Sequence, residues 1–572
     1  MNDKQGIDKL RHSCSHILAS AVKKLYPGVK LGIGPATDTG FYYDFDFPSG
    51  FNESGLAEIE KVMREEVEQD LPFIREEWSK EKASAFFSEG GQLYKLELIK
   101  DLGQDKIFVY RHGGFTDLCK GPHLDSTGEA KHFKLLSTAG AYWRGKEENP
   151  QLVRIYGTAF FTKEELTSYL KHLEEAKQRD HRKLGPALRL FDIYHDQAGA
   201  GLVFYLEKGA ILKRIIEDWE IKEHLRRGYS MISTPHILES RLWEKSGHLD
   251  YYRDLMFLIE QKNVSYAVKP MNCPGHMLIY KSRTHSYRDL PLRMFELGTV
   301  YRREKSGVLH GLLRLRGFTQ DDAHIFCRQE QLFSEIKGVL VFIKEALLTF
   351  GFADFQAEIS TRPESFIGEK DVWDKAEKIL AEILRDNNLK YKTCSGEGAF
   401  YGPKIDIKLK DALGREWQCA TVQLDFFLPG RFELSYIDEK GEKQVPVMIH
   451  RVILGSLERF IATLIEHYKG AFPFWLTPVQ VKVLSLKSSC NDYAEAVRAM
   501  LSGPFRAESD VREETLSKKI RESEVEKIPY LFIVGEKEKE DGTVNIRARG
   551  RKQIGTFSLS DALDFLNKEE KH

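Results

Sequence analysis

The segment over residues 293–326 constrains the fold most, because strand-like patterns flank a loop that is rich in positive charge. We expect a strand that ends near Arg302, a loop through Gly307 and Gly311, and a second strand over Leu312–Phe318. Arginines near both ends of such a loop can hold an elongated polyanion, since guanidinium groups donate in a bidentate way and keep their charge. A solvated, charged hairpin is the alternative. The polar and aromatic run RGFTQDDAHIF, which follows the loop, favours a binding site.

A chain of 572 residues is too long for one hydrophobic core, and about three or four domains are expected. The net charge of −1 gives no global argument for nucleic-acid binding, although a local basic face can still serve it. Seven thinly spread cysteines argue against a disulfide framework and predict a reducing, cytoplasmic location. The N-terminus lacks an apolar signal region and no segment could span a bilayer, so no membrane association is predicted.

Histidines and cysteines cluster in the first part of the chain. Residues 7–25 have the spacing of an amphipathic helix, and His12 and His16 lie four residues apart on one face of it. The later run DLCKGPH adds Cys119 and His123. Each pair alone is a weak signal, but together they have the ligand type and number of a tetrahedral zinc site.

Several segments resemble the motifs of class II aminoacyl-tRNA synthetases, and the resemblance covers nearly the whole chain. The helix over residues 207–228, followed by a strand that ends at Pro235, is similar to motif 1. Residues 293–326 resemble motif 2 in its threonyl-tRNA synthetase version, and HRVILGSLERF looks like motif 3. KPMNCPGH and the HxxxH and CxGPH pairs also match the threonyl enzymes, whereas prolyl and seryl synthetases do not explain this combination.

The resemblance implies an α/β multidomain fold with four parts. These are an α+β editing domain (residues 1–160), a linker helix (161–192), a class II catalytic core of antiparallel sheet flanked by helices (193–474), and a C-terminal α/β anticodon-binding domain (475–572). The linker begins with a capping box, Thr162 and Glu165, and its charged sequence predicts a solvated spacer. Bacterial members usually begin with a small TGS domain, which this sequence is expected to lack, naturally or by truncation.

The implied activity joins L-threonine to tRNA-Thr through a threonyl-adenylate and hydrolyses mischarged Ser-tRNA-Thr at a separate site. Its partners would be tRNA-Thr, ATP with Mg²⁺, L-threonine and a second copy of the chain in a homodimer. By resemblance, one Zn²⁺ per subunit would be held by Cys273, His324 and His450. Such a set leaves a position open for substrate. A metal that binds the amino group and hydroxyl of threonine rejects valine, which an apolar pocket distinguishes only about a hundredfold.

The resemblance also assigns the remaining site residues. The catalytic group is Arg302, Gln320, Asp322, Tyr401, Lys404 and Arg459, with Gln423 on the same floor. The ATP-binding group is Arg302, Glu304, Arg314, Phe318, Gln418 and Arg459. The editing group is His12, His16, Lys95, Asp117, Cys119 and His123, which in this family generally works without a metal. Anticodon bases would be recognised by Glu538 and Arg547, and the RNA backbone by Arg549 and Arg551.

Two other functions remain open from the sequence. The chain could act only as a deacylase that hydrolyses mischarged tRNA, or it could be a non-catalytic RNA-binding paralogue. Arg302, Arg459 and the three metal-ligand candidates argue against both, because neither function requires them.

Overall fold

The computed structural model describes residues 2–103, 105–146, 148–411, 414–550 and 552–570. The described chain divides into two compact units, with the boundary between residues 175 and 176. Among the described residues, no helix is long and apolar enough to cross a membrane.

The first unit packs helices against antiparallel sheets. Its helices are Asn2–Leu25 (α1), Leu56–Glu68 (α2), Lys80–Glu89 (α3) and Leu93–Asp101 (α4). Its strands are Lys30–Leu31 (β1), Ala36–Thr37 (β2), Gly40–Asp46 (β3), Ile74–Ser79 (β4), Lys106–His112 (β5), Phe115–Leu118 (β6), His132–Tyr142 (β7) and Gln151–Phe160 (β8). One sheet has the order β1-β3-β8-β7 with β2 on β3, and the other is β4-β5-β6.

Helix α1 is the predicted amphipathic helix, and it begins at Asn2 rather than near residue 7. Its apolar residues Leu10, Ile17 and Val22 are fully buried against the first sheet. Burial of one apolar face explains why the helix forms and which of its faces is turned toward the sheet. The same orientation of the helix directs His12 and His16 toward β6 and the segment that follows it.

The linker region differs from the single helix that the sequence predicts. Helix Lys163–Arg179 (α5) starts at the predicted capping box, in which the Thr162 and Glu165 side chains each accept the other's backbone N–H. All residues of α5 are described and none is buried, as expected of a spacer. The helix ends before Asp180, whose side chain accepts from the Arg182 N–H and starts a second helix, His181–Ala187 (α6). Unlike α5, α6 buries His181 and Gly185.

The catalytic region of the second unit contains a long, mostly antiparallel sheet. Its strands are Phe191–Asp192 (β9), Phe204–Tyr205 (β10), Ser230–Met231 (β11), Ile237–Glu239 (β12), Phe257–Gln261 (β13), Val264–Val268 (β14), His285–Ser286 (β15), Leu292–Tyr301 (β16), Gly317–Cys327 (β17), Phe355–Ser360 (β18), Tyr391–Cys394 (β19), Lys404–Lys410 (β20), Glu416–Asp425 (β21), Tyr436–Ile437 (β22), Lys443–Gln444 (β23) and Val447–Val452 (β24). The long sheet has the order β11-β16-β17-β24-β21-β20-β18-β19.

Helices accompany this sheet. They are His195–Ala198 (α7), Glu207–Arg226 (α8), Ser240–Ser246 (α9), His248–Tyr252 (α10), Cys273–Lys281 (α11), Leu332–Thr349 (α12), Lys370–Asp386 (α13), Leu428–Arg431 (α14) and Leu457–Tyr468 (α15). Residues of α8, α12, α13 and α15 form the main hydrophobic core with the sheet. This is the antiparallel architecture that the sequence predicts for the region.

The prediction of a second motif 2 strand over Leu312–Phe318 is wrong. The strand β17 begins at Gly317, and residues 311–313 form a turn of 3₁₀ helix. Leu312 and Leu313 are buried in the core, and the Leu312 N–H donates to His181 Nε2 at 3.1 Å. This backbone hydrogen bond, made to a side chain far along the sequence, removes the segment from the ladder.

The C-terminal part is a mixed sheet with helices, as predicted. Its strands are Val481–Ser485 (β25), Ala507–Asp510 (β26), Tyr530–Val534 (β27), Thr543–Ala548 (β28) and Lys552–Ser558 (β29), in the order β26-β25-β27-β28-β29. Its helices are Asn491–Leu501 (α16), Leu516–Val525 (α17), Glu536–Asp541 (α18) and Leu559–Glu569 (α19). The sequence did not indicate α18 or β29. The boundaries between the four domains, as expected from the sequence, stay a prediction.

Candidate functional site

The three predicted metal ligands come from three elements that converge. Cys273 is the first residue of α11, His324 lies on β17, and His450 lies on β24 directly opposite His324. Cross-strand partners project from the same face of a sheet. His324 Nε2 therefore lies 3.0 Å from His450 Nδ1, and one ligand atom of each of the three residues lies within 4.8 Å of the others.

Both histidines have a partner on their other ring nitrogen. His324 Nδ1 lies 2.8 Å from His276 Nδ1, and His450 Nε2 lies 2.9 Å from a carboxylate oxygen of Asp425. Burial, together with the carboxylates of Asp322 and Asp425, raises the pKa of the Cys273 thiol well above its ordinary value. A cation is therefore needed to make this sulfur a thiolate. A thiol and two imidazoles with engaged outer nitrogens have the donor set that zinc prefers.

A cavity of about 180 Å³ lies beside these ligands. Its predicted lining residues are Cys273, Arg302, Gln320, Asp322, His324, Tyr401, Gln423 and His450. Its volume is below the roughly 300–1,000 Å³ of pockets for drug-sized ligands, and it suits a small polar molecule. The sequence analysis did not identify Met271, Thr421, Arg451 and Val452, which complete the lining.

Strand alternation directs the polar side chains into this cavity. Along β17, Gln320, Asp322 and His324 share one face, whereas Thr319 and Asp321 are on the other. Asp322 accepts from Asn272 Nδ2 at 3.0 Å, and burial raises its pKa. A Cβ at Gly298, across the ladder from Gln320, would lie 2.5 Å from the Asn272 side chain. Glycine is required there so that Asn272 can reach Asp322.

Arg302 and Arg459 form a cationic site next to the cavity. The Arg459 guanidinium donates to the Leu313 carbonyl at 3.2 Å, and Arg302 donates to the Pro270 carbonyl at 3.4 Å and lies 5.2 Å from the Phe318 ring centre. Burial first, and then repulsion from Arg302, lowers the pKa of Arg459. Among the described residues, no carboxylate forms an ion pair with either guanidinium. Two unpaired guanidinium groups held by carbonyls can bind a polyanion.

Four predicted residues, besides Phe318 and Arg459, do not line the cavity. Glu304 pairs with Arg314 at 2.9 Å, and Asp406 accepts from Lys404 at 2.6 Å and from Gln418 at 2.8 Å. Through these contacts the side chains of Glu304, Arg314, Lys404 and Gln418 bind other protein groups. The nucleotide-binding and catalytic roles of these four residues stay predictions.

The six predicted editing residues lie together in the first unit. Cys119 Sγ lies 3.3 Å from His12 Nε2 and 3.2 Å from His123 Nε2. Asp117 accepts from Lys95 Nζ at 2.6 Å and lies 3.9 Å from His16 Nε2. The ligand atoms of His12, His16, Cys119 and His123 lie within 4.8 Å of one another, so a metal ion would also fit this set.

Burial disfavours the charged forms of the histidines and of the thiol in this cluster. It lowers the pKa of His12, and it lowers the pKa of His123 to about 2. It also raises the pKa of the Cys119 thiol to about 12. The sequence analysis missed Tyr43, whose hydroxyl accepts from Lys95 at 2.8 Å and donates to Asp117 at 2.5 Å. Neutral imidazoles beside a fixed carboxylate can orient a water molecule and accept its proton.

The predicted anticodon residues lie on neighbouring elements of the C-terminal region. Glu538 is in α18, where its carboxylate accepts from the Gly535 N–H at 2.9 Å. Arg547 is on β28, and its buried Nε has no hydrogen-bond partner within the described part of the chain. Arg549 donates to the carbonyls of Lys527 at 2.8 Å and Ala471 at 3.3 Å, and its contact with RNA stays a prediction. Arg551 lies outside the described residues.

Comparison with known proteins identifies each region. Residues 107–156 match the Threonyl and Alanyl tRNA synthetase second additional domain, residues 257–468 match the tRNA synthetase class II core domain (G, H, P, S and T), and residues 480–569 match the Anticodon binding domain. A threonine–tRNA ligase from Oleidesulfovibrio alaskensis is 52% identical over 566 residues, which cover 99% of this chain and 88% of that protein. The chain belongs to the threonine–tRNA ligase family.

A second member of the threonine–tRNA ligase family, from Syntrophotalea carbinolica, is 53% identical over 572 residues, covering 100% of this chain and 89% of that protein. The crystal structure of the RNA binding domain of threonyl-tRNA synthetase from Cryptosporidium parvum superposes with a TM-score of 0.66 at 39% identity, covering 68% of this chain and 98% of that chain. Family membership confirms the predicted fold class and makes the chain a class II aminoacyl-tRNA synthetase. It also implies use of ATP with Mg²⁺.

Proposed function

We propose that this chain joins L-threonine to tRNA-Thr at the cavity beside Cys273, His324 and His450, and removes serine from mischarged tRNA-Thr at the cluster around Cys119. The convergence of a thiol and two imidazoles on a cavity that also contains Asp322 and Gln320 carries the proposal. The cavity combines a metal-ligand set with polar groups, and its volume suits an amino acid.

Cys273, His324 and His450 would hold one Zn²⁺. When bound, zinc supplies a Lewis acid for the amino group and hydroxyl of threonine, which valine cannot satisfy because it has a methyl group in place of the hydroxyl. Asp322, fixed by Asn272, accepts from the substrate hydroxyl, and Tyr401 and Gln423 close the same cavity. A site built to hydrogen-bond a hydroxyl rejects an analogue that lacks it far more strongly than an apolar pocket does.

Arg302 and Arg459 bind the triphosphate of ATP, with Arg302 on the α-phosphate and Arg459 on the γ-phosphate. Phe318 stacks on the adenine, and Glu304 recognises its edge. The substrate carboxylate attacks the α-phosphorus, and the bond to pyrophosphate breaks. This step needs positioning and charge stabilisation from the arginines rather than a proton acceptor. Transfer to the tRNA 3′ end then releases AMP.

Editing uses the neutral histidines of the first unit. One imidazole accepts a proton from water as the water attacks the seryl ester, and Lys95 and Tyr43 hold Asp117 in place. The methyl group of threonine is excluded sterically, so that the correct product is not hydrolysed. Serine, like threonine, has an amino group and a hydroxyl that can bind a metal in the catalytic cavity. This explains why one chain carries both sites.

The proposal includes further partners. Glu538 and Arg547 contact anticodon bases of tRNA-Thr, and the enzyme acts in the cytoplasm as a homodimer. Support for the dimer comes from β11, an edge strand of the long sheet, because exposed edges require cover. Met231 on β11 and Ile237 on β12 are about half exposed, at 50% and 52%. Analytical ultracentrifugation measures the stoichiometry.

The deciding experiment measures ATP–pyrophosphate exchange with threonine, serine and valine, together with the zinc content of the same sample. We expect strong exchange with threonine, weaker exchange with serine, none with valine, and about one zinc per chain. Cys273→Ala should lose both zinc and threonine activation. Cys327→Ala is the control, because Cys327 is also fully buried, lies on β17 and has no role in the proposed metal site. It should retain both zinc and threonine activation. Threonine exchange at the wild-type level in zinc-free C273A would exclude the metal-based selection.

A further inference from the structure

His276 has no role in the reaction as proposed, yet it lies directly behind the metal-ligand set. It follows Cys273 by three residues in the first turn of α11, so the two side chains share a face of that helix. Its ring is fully buried, with Nδ1 2.8 Å from His324 Nδ1 and Nε2 3.1 Å from a Glu296 carboxylate oxygen. Both ring nitrogens are therefore engaged by buried groups.

The partners of Glu296 define which way these hydrogen bonds run. Its carboxylate accepts from the Thr234 N–H at 2.8 Å and from Lys269 Nζ at 3.2 Å, and Lys269 also donates to the Thr234 hydroxyl at 2.9 Å. An ionised carboxylate only accepts hydrogen bonds. His276 must therefore donate from Nε2 to Glu296, and in the neutral ring this leaves Nδ1 as an acceptor toward His324.

This direction determines which nitrogen of His324 carries the proton. With His276 Nδ1 as an acceptor, His324 donates from Nδ1, and its Nε2 lone pair faces His450 and Cys273. A metal ligand needs this tautomer, since the coordinating nitrogen must be proton-free. Asp425 does the same for His450, by accepting from Nε2 and leaving Nδ1 free.

We infer that His276, held by Glu296 and Lys269, is a positioning residue that fixes the tautomer and ring orientation of His324 for metal binding. This inference rests on the metal site of the proposed function. Thr234, Lys269 and Glu296 do not line the cavity. Threonine selection thus depends on a chain of hydrogen bonds that reaches the segment between β11 and β12.

The test compares three substitutions in the full-length chain. In His276→Asn the amide can place an acceptor near the former Nδ1 position, whereas His276→Gln places its amide near Nε2, and His276→Phe removes both nitrogens. His285→Phe is the matched control, because His285 is also buried, stacks on Tyr280 and donates from Nε2 to the Tyr280 carbonyl at 2.9 Å without touching the metal ligands.

Zinc affinity is measured by competition with a chromogenic chelator, and coordination by the visible spectrum of the Co²⁺-substituted protein. We expect H276F and H276Q to lose about 10–100-fold in zinc affinity with altered cobalt bands, because outer partners of ligating histidines typically contribute that much. H276N should lose less than H276Q, and H285F should resemble the wild type. The KM for threonine should rise in H276F while the KM for ATP stays unchanged.

Equal zinc affinity and identical cobalt spectra in wild type and H276F would overturn the inference. So would an equal loss in H276N and H276Q, which a purely structural role predicts, and that comparison decides the matter if H276F does not fold. A wild-type chain that binds no zinc would overturn the metal proposal itself, so the two failures are distinguishable.

Discussion

At the residue scale, Tyr43 connects Lys95 to Asp117 in the editing cluster. Its hydroxyl lies between Lys95 Nζ and the Asp117 carboxylate. In Tyr43→Phe we expect hydrolysis of Ser-tRNA-Thr to fall roughly tenfold to hundredfold, since a hydrogen bond to a charged group is worth about 1.5–3 kcal/mol. Threonine activation should be unchanged, because the hydroxyl belongs to the first unit.

The control is Tyr42→Phe on the same strand, where the ring stacks on the Arg154 guanidinium at 3.7 Å and does not contact the cluster. Deacylation is measured with pre-charged Ser-tRNA-Thr, and activation by pyrophosphate exchange. Full deacylase activity in Y43F would show that Lys95 and the Leu118 N–H hold Asp117 well enough for editing.

Sequence reasoning found the residues whose type carries chemistry and missed those whose role is to hold them. Cys273, His324 and His450 were accessible from motifs. Tyr43 and Asn272 were not, because a tyrosine in a strand and an asparagine before a helix are ordinary. Their roles follow from strand register and close approach, which no local pattern contains.

At the element scale, His181 attaches the motif 2 loop to helix α6. His181 accepts from the Leu312 N–H through Nε2 and lies 2.6 Å from Glu466 through Nδ1. The neighbouring Leu313 carbonyl holds Arg459. The position of Arg459 on α15 is therefore coupled to the linker region.

This coupling can be tested with two glycines of the same loop. A Cβ at Gly311 would lie 2.2 Å from His181 Nε2 at a φ of +49°, whereas a Cβ at Gly307 meets nothing within 4 Å. We expect Gly311→Ala to cost about 1–3 kcal/mol of stability and to raise the KM for ATP several-fold, because the loop must shift. Gly307→Ala should change neither quantity.

The measurements are thermal unfolding and pyrophosphate exchange at varied ATP. A normal KM for ATP in G311A, with stability reduced, would separate the loop from Arg459. The same contact explains why the second motif 2 strand was predicted wrongly. The leucines of residues 312–315 have a strand-like pattern, but tertiary packing against α6 and α15 overrides it.

At the scale of the whole molecule, buried neutral histidines make the fold sensitive to acid. His123 is the clearest case, because burial, and then His12 and His112, lower its pKa to about 2. At pH 5 the folded chain leaves this ring proton-free, whereas the unfolded chain, with a pKa of about 6.5, binds the proton. Acid therefore favours unfolding of the first unit, by about 2 kcal/mol from this residue between pH 7 and pH 5.

Hydrogen exchange of peptides from α1 at the two pH values reports this unit within the full chain. In His123→Phe, which keeps the stacking on Phe73, the loss of protection at pH 5 should be smaller by about that amount. His172→Asn on the exposed surface of α5 should behave as the wild type. Identical pH dependence in H123F and wild type would assign the acid sensitivity to other groups.

The large-scale architecture could be predicted from the sequence, because motifs 1, 2 and 3 come in a fixed order and each needs a strand of the same sheet or a helix packed on it. The break in the linker and the short helix α18 could not be predicted. The linker breaks at Asp180 because a side chain caps a new helix there, and α18 is too short to leave a periodic pattern.

The residues of the editing cluster all lie between His12 and His123, within a unit that is compact by itself, whereas the metal-ligand set is complete only at His450. A ribosome produces the N-terminal part first, at roughly 5–20 residues per second. The corrective site can therefore be assembled tens of seconds before the same polypeptide gains a site able to make the error.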